Sequence, residues 1–123
     1  MKKILLVDDQ PELCRLLELV LRDDGREIRC VGSGEEALDI AGEWRPDLIL
    51  LDIMMPGGMD GIETIRTMKA EPETADIIIV IMTAKVQEKD RTEALEAGAD
   101  GYLGKPFDLG QVKRQVEELL SLP

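Results

Sequence analysis

The chain contains no histidine. Ser-His and Cys-His catalysis and the usual imidazole metal sites are therefore excluded, and the chain cannot itself be a histidine phosphoryl donor. Aromatic residues are nearly as scarce, with one Trp, one Tyr and one Phe. The only two cysteines, Cys14 and Cys30, lie far apart in sequence with no CxxC motif or Cys/His cluster. They are expected to be reduced, partly buried thiols without a redox role. No run approaches the ~20 consecutive apolar residues of a membrane span. The opening Met-Lys-Lys-Ile-Leu-Leu-Val-Asp-Asp begins like a signal peptide, but its apolar stretch ends at Val7 against two aspartates. It reads as a strand, and a cytoplasmic protein with no membrane partner is expected. Basic residues are in deficit, 15 against 26 acidic, for a net charge of −11. Such a surface repels nucleic-acid backbones, so direct nucleic-acid binding is not expected.

What is present suits one globular domain spanning 1–123. Hydrophobic residues make up 44% and charged residues 33% of the 123-residue chain, and a chain of this length buries roughly two-thirds of its unfolded surface without needing a disulfide or metal staple. Short apolar strands alternate with helical patterns throughout. The predicted strands are 4–7, 27–31, 47–51, 77–82 and 101–103. Between them, Leu13, Leu16, Leu17, Val20 and Leu21 form one face of a helix that opens at Pro11 and is closed by Asp24-Gly25. Ser33 with Glu36 and Asp60 with Glu63 have capping-box spacing. A polar helix over 87–97 is closed by Gly98, and Asp108 caps a last helix along Val112, Val116, Leu119 and Leu120. Trp44, at the end of the second helix, is expected to be a partly exposed packing residue. The pattern is an α/β fold, (βα)₅. Strands apolar on both faces require helices on both sides, which means a doubly wound parallel five-stranded sheet. The flavodoxin-like order 2-1-3-4-5 leaves the more polar second strand on an edge.

In such sheets ligands sit beyond the carboxyl ends of the strands, where the strand order reverses. Reading those ends alone gives Asp8-Asp9 after strand 1, Asp52 after strand 3, Thr83 after strand 4 and Lys105 after strand 5. Taken singly, each has a plainer reading: a helix entry, a turn residue, a helix cap, a solvated lysine. Four strand ends that all carry site chemistry are hard to obtain from turn preferences. Two carboxylates about 4 Å apart repel by ~4 kcal/mol at an effective dielectric near 20. Three such groups favour protonation of one of them or demand a cation. A hard divalent ion suits oxygen ligands, and Mg²⁺ suits a site that keeps waters and awaits a phosphate. Beside Mg²⁺, Asp52 on its buried strand is the best candidate for a nucleophile that forms an aspartyl phosphate. Asp8 and Asp9 would hold the metal, while Lys105 and Thr83 would hold phosphoryl oxygens.

These residues resemble the receiver domains of two-component response regulators. The similarity runs from Lys3 to about Leu120 and rests on Leu-Leu-Val-Asp-Asp at 5–9, Asp-Ile-Met-Met-Pro-Gly at 52–57, Met-Asp-Gly at 59–61, Met-Thr-Ala at 82–84 and Gly-Ala-Asp-Gly-Tyr-Leu-Gly-Lys-Pro-Phe at 98–107. The resemblance implies that a sensor histidine kinase or histidine phosphotransfer protein donates the phosphoryl group to Asp52. It implies that the main-chain carbonyl of Met54 joins Asp8, Asp9 and Asp52 as a metal ligand. It further implies that Thr83 and Tyr102 act as a switch, remodelling the face of helix 4, strand 5 and helix 5 toward a downstream effector. The Lys105-Pro106 bond would be cis, as in the family. The protein would then be no conventional enzyme, catalysing only its own phosphorylation and dephosphorylation. One departure is the additional glycine at Gly57-Gly58, expected to loosen the loop before helix 3.

Three other functions fit these residues less well. A Mg²⁺-dependent aspartyl-phosphate phosphohydrolase usually carries Asp-x-Asp after one strand and a cap domain, whereas here the aspartates lie on two strands. A flavin carrier needs a Ser/Thr/Gly-rich phosphate loop and flanking aromatics, and this chain has neither. A phosphorylation-independent interaction module on the same scaffold has no use for an intact pocket. The end of the sequence just past the last helix fits a free-standing receiver and the N-terminal part of a longer regulator equally.

Overall fold

The computed structural model describes residues 2–22, 25–53, 60–83, 88–104 and 108–121. Five strands and five helices alternate: β1 (Lys2–Val7), α1 (Pro11–Leu21), β2 (Arg26–Val31), α2 (Gly34–Trp44), β3 (Leu48–Asp52), α3 (Gly61–Ala70), β4 (Ile78–Thr83), α4 (Glu88–Ala97), β5 (Gly101–Gly104) and α5 (Leu109–Leu120). All four strand pairings are parallel, in the expected order β2-β1-β3-β4-β5.

The alternation of side chains along each strand divides the core into two layers. Leu5, Val7, Ile49, Leu51, Ile79 and Ile81 pack with α2, α3 and α4 through Ala37, Ala41, Ile65, Met68 and Ala94. Ile4, Leu6, Leu48, Leu50, Val80 and Met82 pack on the other face with α1 and α5 through Leu17, Leu21, Val112 and Val116. Every residue of β3 is buried, as its unbroken apolar run requires between two helical layers.

Ser33, Asp60 and Asp108, expected to cap helices, do so through their own side chains. Glu36 N donates to Ser33 Oγ at 3.1 Å, Glu63 N to Asp60 Oδ1 at 2.8 Å and Gly110 N to Asp108 Oδ1 at 2.7 Å. Each bond satisfies an amide that the first helical turn would otherwise leave unpaired. Gly98 has φ of 117°, the left-handed closure expected after α4.

Several expectations are corrected. Helix α1 stops at Leu21 with Arg22 extended, so Gly25, although at φ of 89°, turns the chain into β2 and caps nothing. The inner stripe of α1 is Cys14, Leu17 and Leu21, and Leu16 is exposed. Five apolar positions over nine residues cover more of a helix than a flat sheet can bury, and the narrower i, i+3, i+7 set wins. Trp44 is buried. Its Nε1 donates to Glu27 Oε2 at 3.0 Å, and the guanidinium of Arg29 stands 4.6 Å from its ring centroid. The polar character of edge strand β2 thus serves this indole.

The largest correction concerns the cysteines, which are joined by a disulfide with Cα atoms 6.3 Å apart. Sequence spacing hid the pair, whereas the sheet register discloses it. Cys30 lies opposite Leu6, and partners in a parallel ladder share a face. Leu6 faces the layer that contains Cys14, which puts both sulfurs on one side of the sheet.

Candidate functional site

A parallel sheet gathers the carboxyl ends of its strands on one rim. Here Val7 is opposite both Val31 and Leu51, Asp52 is opposite Met82, and Thr83 is opposite Gly104. Strand order reverses between β1 and β3. The chain leaving β1 enters α1 on one face, and the chain leaving β3 leads to α3 on the other. A crevice opens where these paths diverge, at Asp8-Asp9 and Asp52.

Asp8, Asp9 and Asp52 meet there, each offering a carboxylate oxygen, with these oxygens all within 4.8 Å of one another. Asp8 and Asp52 are buried, 2% and 4% exposed, while Asp9 faces solvent. Asp8 is fixed from both sides. Its amide donates to Val31 O at 3.0 Å, and its Oδ1 accepts from Gln10 N at 2.9 Å, a bond that tightens the turn into α1. Burying carboxylates side by side is costly without opposite charge. The donor set is wholly oxygen, hard and anionic, with two buried members and one open to water. These residues fit a divalent cation of the Mg²⁺ type.

The start of α3 is pressed against the end of β3. A Cβ at Gly61 would lie 2.5 Å from Ile53 Cα, so only glycine lets α3 approach the residue after Asp52 this closely. Gly61 belongs to the Met-Asp-Gly motif, yet its packing role was not read from the sequence.

Thr83 ends β4 on the same rim, though its side chain lies outside the described residues. Tyr102 is half-buried on β5 against the α2–α4 layer, with the Arg91 guanidinium of α4 5.8 Å from its ring centroid. Lys105, the Lys105-Pro106 bond, Met54 and the Gly57-Gly58 insertion also lie outside the described residues. Sequence reasoning missed Cys14 and Cys30, which border the same depression as Asp8 and Asp9.

The fold and the acidic rim together define an α/β domain of the receiver class. The chain belongs to the response regulator receiver domain family, whose model matches residues 4–117. Among curated proteins it is 44% identical over 106 residues to the DNA-binding response regulator MtrA of Mycolicibacterium smegmatis, a match that covers 86% of this chain and 45% of that protein. The chain thus spans just under half the length of the MtrA proteins it matches. Among solved structures, it superposes with a TM-score of 0.92 and 27% identity on the signal receiver domain of a DNA-binding response regulator from Colwellia psychrerythraea 34H, covering 99% and 100% of the two chains. It also resembles the receiver domain of a sensor histidine kinase from Pseudomonas aeruginosa PAO1, with TM-score 0.87, 31% identity and 98% coverage of both chains. That structure holds a magnesium ion coordinated in its active-site cleft. Members of this family are two-component signalling proteins rather than classical enzymes. Among the described residues, no helix is long and apolar enough to cross a membrane.

Proposed function

We propose that this chain acts as a single receiver domain that accepts a phosphoryl group on Asp52 from a histidine kinase or histidine phosphotransfer protein. The observation that carries this reading is the convergence of Asp8, Asp9 and Asp52 at the switch point of the sheet. Asp8, Asp9 and Asp52, with the main-chain carbonyl of Met54, would hold Mg²⁺. The ion would supply charge neutralisation for the carboxylates and the incoming phosphate. An Asp52 carboxylate oxygen forms the new bond to phosphorus as the phosphorus–nitrogen bond to the donor imidazole breaks, and the imidazole departs with that electron pair. Burial of Asp52 in a fully buried strand gives the nucleophile one orientation, which is most of what phosphoryl transfer asks of a protein.

Lys105 and Thr83 would take phosphoryl oxygens. Thr83 and Tyr102 would carry the change to the face of α4, β5 and α5, where a downstream effector protein or domain reads it. In this reading the domain catalyses only its own phosphorylation and dephosphorylation, in the cytoplasm. Its charge of −11 argues against direct contact with nucleic acid; the MtrA relatives bind DNA as proteins more than twice as long.

Acetyl phosphate with Mg²⁺ tests the assignment. One alkali-labile phosphoryl group per chain is expected by mass, and none in Asp52→Asn. Lys105→Ala should still be phosphorylated but should lose the accompanying change at the α4–β5–α5 face, read by hydrogen exchange. Phosphorylation of Asp52→Asn at the wild-type level would refute the acceptor. A normal response in Lys105→Ala would refute the role of Lys105.

A further inference from the structure

The disulfide sits against the acidic rim rather than in a remote part of the fold. Cys14 is the fourth residue of α1, and Cys30 is the last but one of β2. Cys14 Sγ lies 3.9 Å from the main-chain oxygen of Asp8. Cys30 Sγ lies 3.8 Å from Val31 O, the acceptor of the Asp8 amide. The Asp8 carbonyl thus lies directly against one sulfur, and the Asp8 amide reaches the other through Val31 O. The two cysteines also border the same depression as Asp8, Asp9, Arg15 and Glu36.

A buried core of the size seen here has no need of a staple, and in the reducing cytoplasm proposed above disulfides that do form are mostly redox-sensing or catalytic. We infer that Cys14 and Cys30 are a reversible thiol–disulfide modification site that sets the Mg²⁺ affinity of the acidic rim. The coupling rests on the metal reading of Asp8, Asp9 and Asp52 given above.

The oxidant is a low-molecular-weight disulfide, R–S–S–R. Cys30 is exposed, whereas Cys14 is only 5% exposed, so exchange begins at Cys30. Its thiolate attacks one sulfur of R–S–S–R, forming a mixed disulfide and releasing one thiolate. The Cys14 thiolate then displaces the second, closing the Cys14–Cys30 bond. Two electrons and two protons pass from the cysteines to the oxidant, which leaves as two R–SH. Excess R–SH reverses both steps, attacking first at the exposed Cys30 sulfur.

The bridge ties the first turn of α1 to the end of β2, and the Asp8-Asp9-Gln10 turn runs between them. Oxidation therefore restricts the carboxylates to the geometry that binds metal. Reduction removes that covalent restraint from the turn. A ligand binds more tightly where its groups are already placed.

The full chain, equilibrated across glutathione to glutathione-disulfide ratios, tests this. Alkylation and mass should count two free thiols at the reducing end and none at the oxidising end. Mg²⁺ titration by calorimetry should give an affinity at least about fivefold tighter in the oxidised form, the lower end of ordinary coupling between sites. The C14S/C30S double variant should bind Mg²⁺ like the reduced form at every ratio. Thiols that stay alkylatable throughout, a bridge that glutathione never opens, or equal Mg²⁺ affinity in both forms would overturn the proposal. Absence of Mg²⁺ binding in either form would overturn the acidic-site reading and the coupling with it, a failure the thiol count distinguishes from loss of the bridge.

Discussion

Neutralising Asp52 should stabilise the metal-free protein and remove most of its response to Mg²⁺. The carboxylate oxygens of Asp8, Asp9 and Asp52 lie within 4.8 Å of one another. At that separation two full charges repel by about 3.5 kcal/mol at an effective dielectric near 20, and by about 0.9 kcal/mol in bulk water. The first value suits the buried Asp8–Asp52 pair and the second the pairing of Asp52 with exposed Asp9. Their sum, about 4 kcal/mol, is an upper bound that neighbouring charges and solvent relaxation reduce, leaving about 1–3 kcal/mol. For 123 residues the entropy of unfolding is about 260 cal/mol/K, so each kcal/mol moves Tm by about 4 °C. Asp52→Asn without metal should thus melt about 4–12 °C above wild type. Mg²⁺ at about one hundred times its Kd should raise wild-type Tm by about 10 °C, from ~2.7 kcal/mol of linkage. With one of the three side-chain ligands neutral, less than half that shift should remain in Asp52→Asn. Calorimetric melts of both proteins with and without Mg²⁺ give all four values. Asp47→Asn is the control, because Asp47 Oδ2 accepts from Lys3 N at 2.8 Å on the opposite rim and its loss should leave the Mg²⁺ shift unchanged. An Asp52→Asn protein that melts no higher than wild type yet keeps the full Mg²⁺ shift would refute the electrostatic reasoning.

Two further outcomes follow from packing. Gly61→Ala drives a methyl group into the Ile53 backbone. It should cost about 1–3 kcal/mol, a Tm lower by about 4–12 °C, and it should slow phosphorylation at neighbouring Asp52; a variant with wild-type Tm would refute the close approach. Trp44 contacts Lys3, Glu27 and Arg29, near the strand starts and away from the acidic rim. Its fluorescence should follow unfolding while staying unchanged on Mg²⁺ binding, and a Mg²⁺-dependent change in the folded protein would contradict this placement.

The fold was legible because its signals are local and redundant. A run such as Leu48-Ile49-Leu50-Leu51 has no polar face, so it needs helices on both sides, and in a chain of 123 residues that requirement selects a doubly wound sheet over a closed barrel. Ser33, Asp60 and Asp108 mark helix starts because a short side chain with an oxygen acceptor is what an unpaired first-turn amide needs. The candidate site was legible for the same reason at one remove. Once the strands are known, their carboxyl ends are known, and Asp8, Asp9 and Asp52 stand at two of them. What stayed hidden depends on register and face. Leu16 and Leu17 are equally apolar, and only the orientation of α1 decides that Leu17 is covered and Leu16 exposed. The Cys14–Cys30 bond needs the pairing of Leu6 with Cys30, which no spacing rule supplies. Strand β3 begins at Leu48 rather than Asp47 because the Asp47 carboxylate is engaged with the Lys3 amide, while its ladder continues through Asp52 opposite Met82.

The two rims of the sheet use the same residue type differently, since beyond the bond that Asp8 accepts from Gln10 N the strand-end aspartates converge, and this separates an acidic site from an acidic protein. At the strand starts, Asp47 Oδ2 accepts from Lys3 N at 2.8 Å and Asp100 Oδ2 from Ile79 N at 2.9 Å. Each of those carboxylates ties the residue before one strand to a main-chain amide of the neighbouring strand. At the strand ends, Asp8, Asp9 and Asp52 face one another, and two of them are buried. Turn chemistry accounts for a lone aspartate that binds an amide, but it supplies no reason to bring three negative groups together in a partly dry crevice. Positive charge among them offsets that repulsion, and a crevice whose charge balance changes when a cation or a phosphoryl group arrives is suited to a switch. The disulfide at its edge then has a physical meaning beyond stability. It restrains the turn that carries two of the three carboxylates, so the redox state of Cys14 and Cys30 and the charge state of the rim act on the same few residues.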